Sequence, residues 1–399
     1  LKVKSISLGP WRGINNVEAD THRAFQPPGQ GAPLAYVSSA VDVDFDSEGW
    51  ASTRPALVVE RVLEGGQGGW EIDGRVFVQE GGTLYEGLAN PLARVSGLVR
   101  RMALCSHAGL IFGTDGVTHV EIDPAGTVRY WGLPVPSLTL SAIGGALQAG
   151  RYLVQGSWSD ARGNEGGVSD LGAIVLASTG GISVAATAPA GATHLNVYAS
   201  QANQEHTSFV AKVAVGALPS VVSTAVSVAD PPVTEGMTGP WSGALGIASW
   251  RAFVLLWRDN VVVHSEALEP HLFHPDSIWQ FPSAVRAVEA LTDGVWVATA
   301  AGLWWVSGED PATAIPALKT AAPCLAGSCV VDGQQLPTLQ TRERVALFVT
   351  ADGLVAGMPG GGAVNLTDGV YRFPAGARAS FALVERDGLR QMHIAIAGA

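Results

Sequence analysis

"GVWVATAAGLWWVSG", residues 294–308, sets two short runs of β-branched and aromatic residues on either side of a small-residue turn. Each run has the length and composition of a strand, and so short a turn joins antiparallel neighbours. The stretch predicts a β-hairpin. The same unit recurs as "GRVFVQEGGTLYEG" (74–87), "GLIFGTDGVTHVEID" (109–123), "AFVLLWRDNVVVHSE" (252–266), "VALFVTADGLVAGMP" (345–359) and "FALVERDGLRQMHIAIA" (381–397). The turns are rich in Gly, Asp or Asn, as at Asp115-Gly116, Asp352-Gly353 and Asp387-Gly388. In the second half the units follow one another every ~40–50 residues, the repeat of four-stranded propeller blades and not of helical solenoids. The expected fold class is all-β: a β-propeller of six or seven blades. Gly-rich hairpins also build sandwiches and barrels, which stay open as alternatives.

Composition agrees with short strands between dense punctuation. The 399 residues are 47% hydrophobic and 15% charged, with 49 glycines and 23 prolines, which excludes disorder and suits two or three domains. The formal net charge is −11 and the chain holds only four lysines, so phosphate neutralisation is poorly served and tight binding of DNA or RNA is not expected. The opening "LKVKSISLGPWRG" lacks the apolar core of a signal peptide. The run "AFVLLW" (252–257) falls far short of the roughly 20 residues that span a bilayer. These features predict a soluble chain made in a cytoplasm, without membrane insertion. Cys105, Cys324 and Cys329 are too few and too scattered for a disulfide framework, so buried thiols in a reducing compartment are expected.

Between the second and third hairpins the character changes. Residues 137–240 are rich in Ala, Ser, Thr and Val and contain no such hairpin repeat. Strand candidates fall at 151–158, 173–178, 181–187, 193–200, 208–215 and 221–229, spaced as in an immunoglobulin-like or fibronectin-like sandwich. Pro134, Pro136 and "ADPPVTEGMTGPW" (229–241) supply stiff borders. The domain expectation is an N-terminal arm over 1–35, a first propeller part over 36–136, an inserted sandwich over 137–240 and a second propeller part over 241–399.

Candidate chemistry was sought in each polar cluster. In "AVDVDFDSEGWASTRPAL" (40–57), strand alternation puts Asp42, Asp44 and Asp46 on one face and Val41, Val43 and Phe45 on the other. A calcium loop of the EF-hand type needs Gly at its sixth position and Glu at its twelfth, where Ser47 and Thr53 stand. The reading is therefore a solvated or partner-facing strand, with a cation site at the three aspartates as the alternative. For zinc, His271, His274, Cys324 and Cys329 lack the spacing of common structural sites. No G-x-S-x-G elbow is present, and "GGQGGW" and "PGGGA" lack the residues of a phosphate loop. "TDGVTHV" (114–120) departs from the sialidase Asp-box in placing Asp115 directly before Gly116, and no second copy follows. No catalytic, cofactor or metal site emerges, and most of the 12 tryptophans are expected in the core.

The combined pattern resembles the β-propeller tail proteins of tailed bacteriophages, especially the nozzle or tail-hub protein of short-tailed phages. "GINNVEAD" (13–20), with Gly13, Asn15 and Asn16, followed by the aspartate strand with Asp44, Gly49, Arg54 and Pro55, is similar to that family's opening. "VVVHSEALEPHLFHP" (261–275) resembles its hairpin ending in Ser265, Glu266 and Pro270. The blade that follows closes with Gly308, Asp310 and Pro311. "GNEGGVSD" (163–170) and "ATHLNVYAS" (192–200) resemble the fibronectin-like domains inserted in these propellers. The chain departs from the pattern in having Asp where Asn is more typical in the opening, and in "EHTSF" (205–209) where a more basic segment is usual.

The resemblance implies a non-enzymatic virion protein, made in the host cytoplasm and built into the tail. It implies a ring-shaped homo-oligomer that lines or closes the DNA exit channel, needs no cofactor, and meets adaptor, fibre, needle or tip proteins. Acidic walls would repel phosphate and let DNA slide past. Two rivals remain: a tail-tip or baseplate protein of a long-tailed phage, and a glycan-binding or glycan-cleaving propeller using Asp293, Glu309, Asp310 and Trp304. For the aspartate strand, changing Asp42→Asn together with Asp44→Asn is expected to leave the thermal unfolding transition in place. Loss of the fold on making that double change would overturn the solvated-strand reading.

Overall fold

The computed structural model describes residues 66–399 apart from 225, 228–229, 337–338, 340, 375, 387–388 and 398–399, together with the earlier segments 11–14, 24–25, 34–37, 43–45 and 51–53. The chain divides into two compact units, one of residues 1–62 with 281–399 and one of residues 63–280. The early segments are short strands: β1 (Trp11–Ile14), β2 (Ala24–Phe25), β3 (Leu34–Val37), β4 (Val43–Phe45) and β5 (Ala51–Thr53). They form a three-stranded sheet in the order β1-β3-β2 and a pair β4-β5. Gly13 lies in β1, and Asp44 lies in β4 opposite Ser52. Asp42, Asp46, Asn15, Asn16, Gly49, Arg54 and Pro55 fall outside the described residues.

The unit of residues 63–280 begins with two antiparallel meanders. The first is β6 (Gly66–Ile72), β7 (Arg75–Glu80), β8 (Thr83–Glu86) and β9 (Leu92–Val95). The second is β10 (Ala103–His107), β11 (Leu110–Thr114), β12 (His119–Ile122) and β13 (Val128–Tyr130). Seven strands of a different arrangement follow: β14 (Thr139–Leu147), β15 (Gly150–Ser159), β16 (Gly172–Leu176), β17 (Gly180–Ala185), β18 (His194–Ser200), β19 (Thr207–Ala214) and β20 (Ser220–Val222). A third meander closes the unit with β21 (Gly246–Trp250), β22 (Phe253–Arg258), β23 (Val261–Glu266) and β24 (Glu269–Gln280).

The other unit holds a fourth meander, β25 (Val285–Leu291), β26 (Gly294–Thr299), β27 (Gly302–Ser307) and β28 (Ile315–Thr320). It ends in a six-stranded sheet built from β29 (Cys324–Asp332), β30 (Arg344–Thr350), β31 (Gly353–Gly357), β32 (Ala363–Asn365), β33 (Arg378–Arg386) and β34 (Leu389–Ala397). Its order is β32-β31-β30-β29-β33-β34, with β33 joined to β29 in parallel at Ala326 and Arg378. The protein is all-β, and all six hairpins expected from the sequence are present as antiparallel pairs. Among the described residues no helix is long and apolar enough to cross a membrane.

The inner strands explain why the hairpins were so legible. All six residues of β26 are buried, as are Val345 to Thr350 of β30, so both faces of these strands must be apolar and the sequence reads as an unbroken hydrophobic run. Within each unit, neighbouring sheets cover one another. Phe77, Leu84, Met102, Ile111, Val120 and Ile122 fill the space between the first and second. Phe112, Trp131, Ile247, Val254, Leu256 and Phe273 join the second to the third. In the other unit Trp296 and Trp305, with ring centres 5.1 Å apart, pack with Leu303, Ala346, Phe348 and Val355. Each such side chain contributes about 1.5–3 kcal/mol by leaving water.

The region between the second and third meanders is a two-sheet sandwich. β14, β17 and β20 form one sheet, and β16, β15, β18 and β19 form the other in that order. Val154, Trp158, Ile182, Val184, Leu195, Val197 and Val222 fill one core between them. The sequence located six of these seven strands and missed β14, whose Gly144-Gly145 pair reads as a break. There the ladder to β17 shifts register between Ile143 and Leu147, and a Cβ on Gly145 would sit 2.6 Å from the Gly180 carbonyl oxygen. Gly145 admits a close backbone approach inside a strand, whereas a Cβ on Gly144 would meet nothing within 4 Å.

A second close approach ties the sandwich to its border. A Cβ on Gly167 would collide with the backbone carbonyl of Met237, while the Val168 amide donates to the Thr234 carbonyl at 3.2 Å and the Thr234 hydroxyl to the Gly166 carbonyl at 2.8 Å. Gly167→Ala is expected to lower stability by about 1–3 kcal/mol through overpacking against backbone. A urea unfolding midpoint unchanged from the parent chain would contradict this.

Candidate functional site

The loop after β15 carries the "GNEGG" segment and is built around Asp160. One Asp160 carboxylate oxygen accepts the Arg162 and Asn164 amides at 2.8 and 2.9 Å, and the other accepts the Asn164 side-chain amide at 3.0 Å. An aspartate that closes its own turn in this way fixes the loop without help from regular structure. Arg162 is thereby aimed at β12, where it donates to Glu121 at 2.8 Å. Glu121 is 1% exposed, and its second oxygen has no partner. Burial pushes the Glu121 carboxyl up, and the hydrogen bond from Arg162 opposes that shift without cancelling it. On the far side, His271 of β24 shares a cavity wall with Asn164 and Glu165 and faces Glu269 at 3.3 Å, while burial keeps its imidazole low in pKa. The loop thus fastens the sandwich to the second meander, and Thr238, beyond the sandwich, pairs with Phe273 of β24 in the third.

Above this loop the four-stranded sheet turns a polar face outward. Leu195, Val197 and Ala199 of β18 point into the core, so Asn196 and Tyr198 point away from it. Both are nevertheless buried, at 6% and 5% exposure. Pairing aligns Ser157, Asn196 and Lys212 in one cross-strand row, and Gln155, Tyr198 and Phe209 in the next. The Tyr198 hydroxyl donates to Glu165 at 2.6 Å, the Ser157 hydroxyl donates to the same Glu165 oxygen, and the Asn196 amide donates to Ser157 at 3.2 Å. Burial raises the Tyr198 phenol, and the Glu165 carboxylate raises it further. Thr207 donates to Gln155 at 2.7 Å, and Gln155 donates to the Ser169 carbonyl at 3.1 Å.

A bulge places the aromatic pair. The ladder between β18 and β19 shifts register after Val197 and Ala211, so that Tyr198 opposes Phe209. The two rings meet edge to face at 5.8 Å. The Phe209 amide leaves the ladder and donates to the Asp230 carbonyl at 3.0 Å, with Asp230 held at φ 36°. A bulge of this kind re-aims side chains locally. The result is a cavity of about 500 Å³ lined by Glu165, Asn196, Tyr198, Phe209, Lys212 and Asp230. A second cavity of about 500 Å³ shares Gly163, Glu165 and Val233 with it and runs to Glu266, Glu269 and His271. A third, of about 720 Å³, is lined by Tyr130, Trp131, Trp241, His119 and several prolines. Burial lowers His119 to about 4, so its ring is neutral at physiological pH.

Of the residues singled out in the sequence, His271 and Glu266 line the second cavity; the others described lie elsewhere, in turns or packed strands. Asp293 accepts the Gly360 amide at 2.6 Å, and Asp310 accepts the Ala312 amide at 2.9 Å as the cap of a short 3₁₀ turn. Trp304 packs edge to face on Phe281 at 5.8 Å. His274 accepts the Asp276 amide at 3.2 Å. Cys324 and Cys329 share β29, and burial pushes both thiols up to about 12. Among the described residues no group of three His, Cys, Asp or Glu side chains is placed to hold a metal ion. Asp115 is 2% exposed. Burial would raise its carboxyl, yet amides of Thr118, Val117, Val99 and Arg100 hold it below its usual range. The polar face of the sandwich was not found from sequence; its one signal was the alternation of Gln155, Ser157 and Ser159 and of Asn196, Tyr198 and Ser200.

No protein-family model matches the chain, and no curated protein matches it. Among solved structures, 92% of the chain aligns with 50% of the extracellular domain of BT4673 from B. thetaiotaomicron, at 10% identity and a TM-score of 0.26. Sqt1 of Saccharomyces cerevisiae aligns with 69% of the chain over 89% of its own, at 7% identity and a TM-score of 0.20. PorZ of Porphyromonas gingivalis aligns with 82% of the chain over 55% of its own, at 12% identity and a TM-score of 0.17. The chain spans about half the length of the first of these. Likeness at these scores places the chain with none of them.

The Glu121–Arg162 contact yields a prediction with a definite sign. A folded-state pKa raised above the unfolded value means that the protonated form stabilises the fold, and that this contribution is lost as pH rises through the folded pKa. Glu121→Gln is therefore expected to match or exceed the parent in stability at pH 7, with the difference closing in acid. Arg162→Ala leaves the carboxylate buried without its partner and is expected to cost about 1–3 kcal/mol at pH 7. Urea titrations of both variants at two pH values check the pair; a Glu121→Gln protein less stable than the parent at pH 7 contradicts the reading.

Proposed function

We propose that this chain is a structural component of a bacteriophage tail, a β-propeller with an inserted immunoglobulin- or fibronectin-like sandwich that assembles as a ring at the nozzle or hub. The observation that carries the reading is a sandwich spliced between two four-stranded meanders and fastened to both of them. Arg162 reaches Glu121 on one side, and Thr238, just beyond the sandwich, pairs with Phe273 of β24 on the other. A domain held at several points is suited to present a fixed platform to neighbours, and the role asks for no bound cofactor.

The residues that carry the resemblance support the reading by the work they do. The Ser265 hydroxyl accepts the Val254 amide at 3.0 Å and donates to the Glu266 carbonyl at 3.0 Å. The Pro270 carbonyl accepts the Trp131 indole at 2.9 Å. Gly308 adopts φ 147°, and Asp310 with Pro311 opens the turn that follows. These are joints between strands and sheets, the chemistry of a scaffold. A net charge of −11 with four lysines suits a wall past which DNA slides without sticking.

Immunogold electron microscopy with antibody to this chain, on phage particles from a culture that carries the gene, tests the proposal. Label at the tail end of the particles is the expected result, and tail length would separate nozzle from tip. Absence of label on both intact and disrupted particles would overturn it.

A further inference from the structure

We propose that the outer face of the sandwich sheet, over β15, β18 and β19, is a binding site for a neutral saccharide. The inference does not depend on the tail reading, since it rests on the cavity alone. The cavity joins one partly exposed aromatic ring to a set of polar side chains. Phe209 is 38% exposed and stands beside Glu165, Asn196, Tyr198, Lys212 and Asp230 around about 500 Å³. A sugar ring has the matching surface: an apolar C–H face that packs on an aromatic ring, and a rim of hydroxyls that each donate and accept. Carboxylates accept from such hydroxyls, an ammonium donates to them, and an amide does both.

The site is held in shape before anything enters. Ser157 and Tyr198 fix Glu165, and Ser157 also holds Asn196. The bulge and the Phe209 to Asp230 backbone bond fix the platform against the far wall. Asp230 adopts a left-handed φ of 36°, a conformation uncommon for residues other than glycine that gathers at ligand clamps. Polar groups already oriented lose little freedom on binding. Charge selects the class of sugar. Two carboxylates, Glu165 and Asp230, face one ammonium, Lys212, and the adjoining cavity adds Glu266 and Glu269. An acidic saccharide or a phosphate is repelled there, whereas a neutral one is not.

The test uses the purified full chain on an array of neutral and acidic oligosaccharides, followed by saturation-transfer NMR and a binding titration with the best neutral hit. Saturable binding to neutral members is expected. Phe209→Ala, Lys212→Ala and Asp230→Asn are each expected to weaken it by about tenfold or more, with unchanged far-ultraviolet circular dichroism. Tyr130→Ala, in the separate aromatic cavity, is expected to bind as the parent does. Lys212 and Asp230 are exposed, so their variants read the site even if Phe209→Ala fails to fold. No saturable binding, a preference for acidic sugars, or binding indifferent to Lys212→Ala and Asp230→Asn would each overturn the proposal. Tail label on particles with no sugar binding would leave the tail reading standing and remove this one.

Discussion

A four-stranded meander whose inner strands are apolar on both faces cannot stand alone in water, and the rest of this protein follows from that constraint. Burial of a whole strand such as β26 requires a layer above and a layer below. Within each unit a neighbouring sheet supplies such a layer, because sheets joined by short connections are forced to be neighbours. The large rings settle at these contacts: Trp131 between the second and third meanders, and Trp296 with Trp305 between the fourth and the sheet that follows. Outer strands escape the constraint, which is why β28 leaves Ile315 and Leu318 71% and 50% exposed.

The sandwich satisfies a different constraint. Its core is filled by alternate residues of both sheets, so the opposite residues of β15 and β18 must face outward. In most sheets that face would be wet. Here the loop around Asp160 and the segment near Asp230 cover it, and buried polar groups pair with their neighbours: Gln155 with Thr207, Asn196 with Ser157, Tyr198 with Glu165, while the Ser159 hydroxyl on the same face has no partner. Such a network is costly when incomplete and rigid when complete. The same loop that closes it also reaches Glu121 on β12, so the polar face and the mounting of the sandwich on the second meander are one structural feature.

The hairpins were legible because hydrophobic runs and Gly- or Asp-containing turns are local properties. Strand β14 was not, since its Gly145 serves a contact with Gly180 and Gly181 that lies far along the chain. The carboxylates named as glycosidase candidates illustrate the same limit from the other side. Asp293 and Asp310 stand in promising company in the sequence, yet their oxygens accept backbone amides in turns. An aspartate that caps a turn and one that faces a ligand look alike until the backbone around them is known.

What the amino-acid order determined by itself was the strand content, the six hairpins and the position of a region with a different rhythm, because alternation and turn chemistry act over a few residues. What the tertiary structure decided was which polar residues meet. Glu165 lies eight residues from Ser157 but 33 from Tyr198, and Asp230 reaches Phe209 only through a bulge and a backbone bond. Sequence spacing carries no record of such meetings, since they are set by how two sheets, one loop and a proline-bordered segment pack against each other.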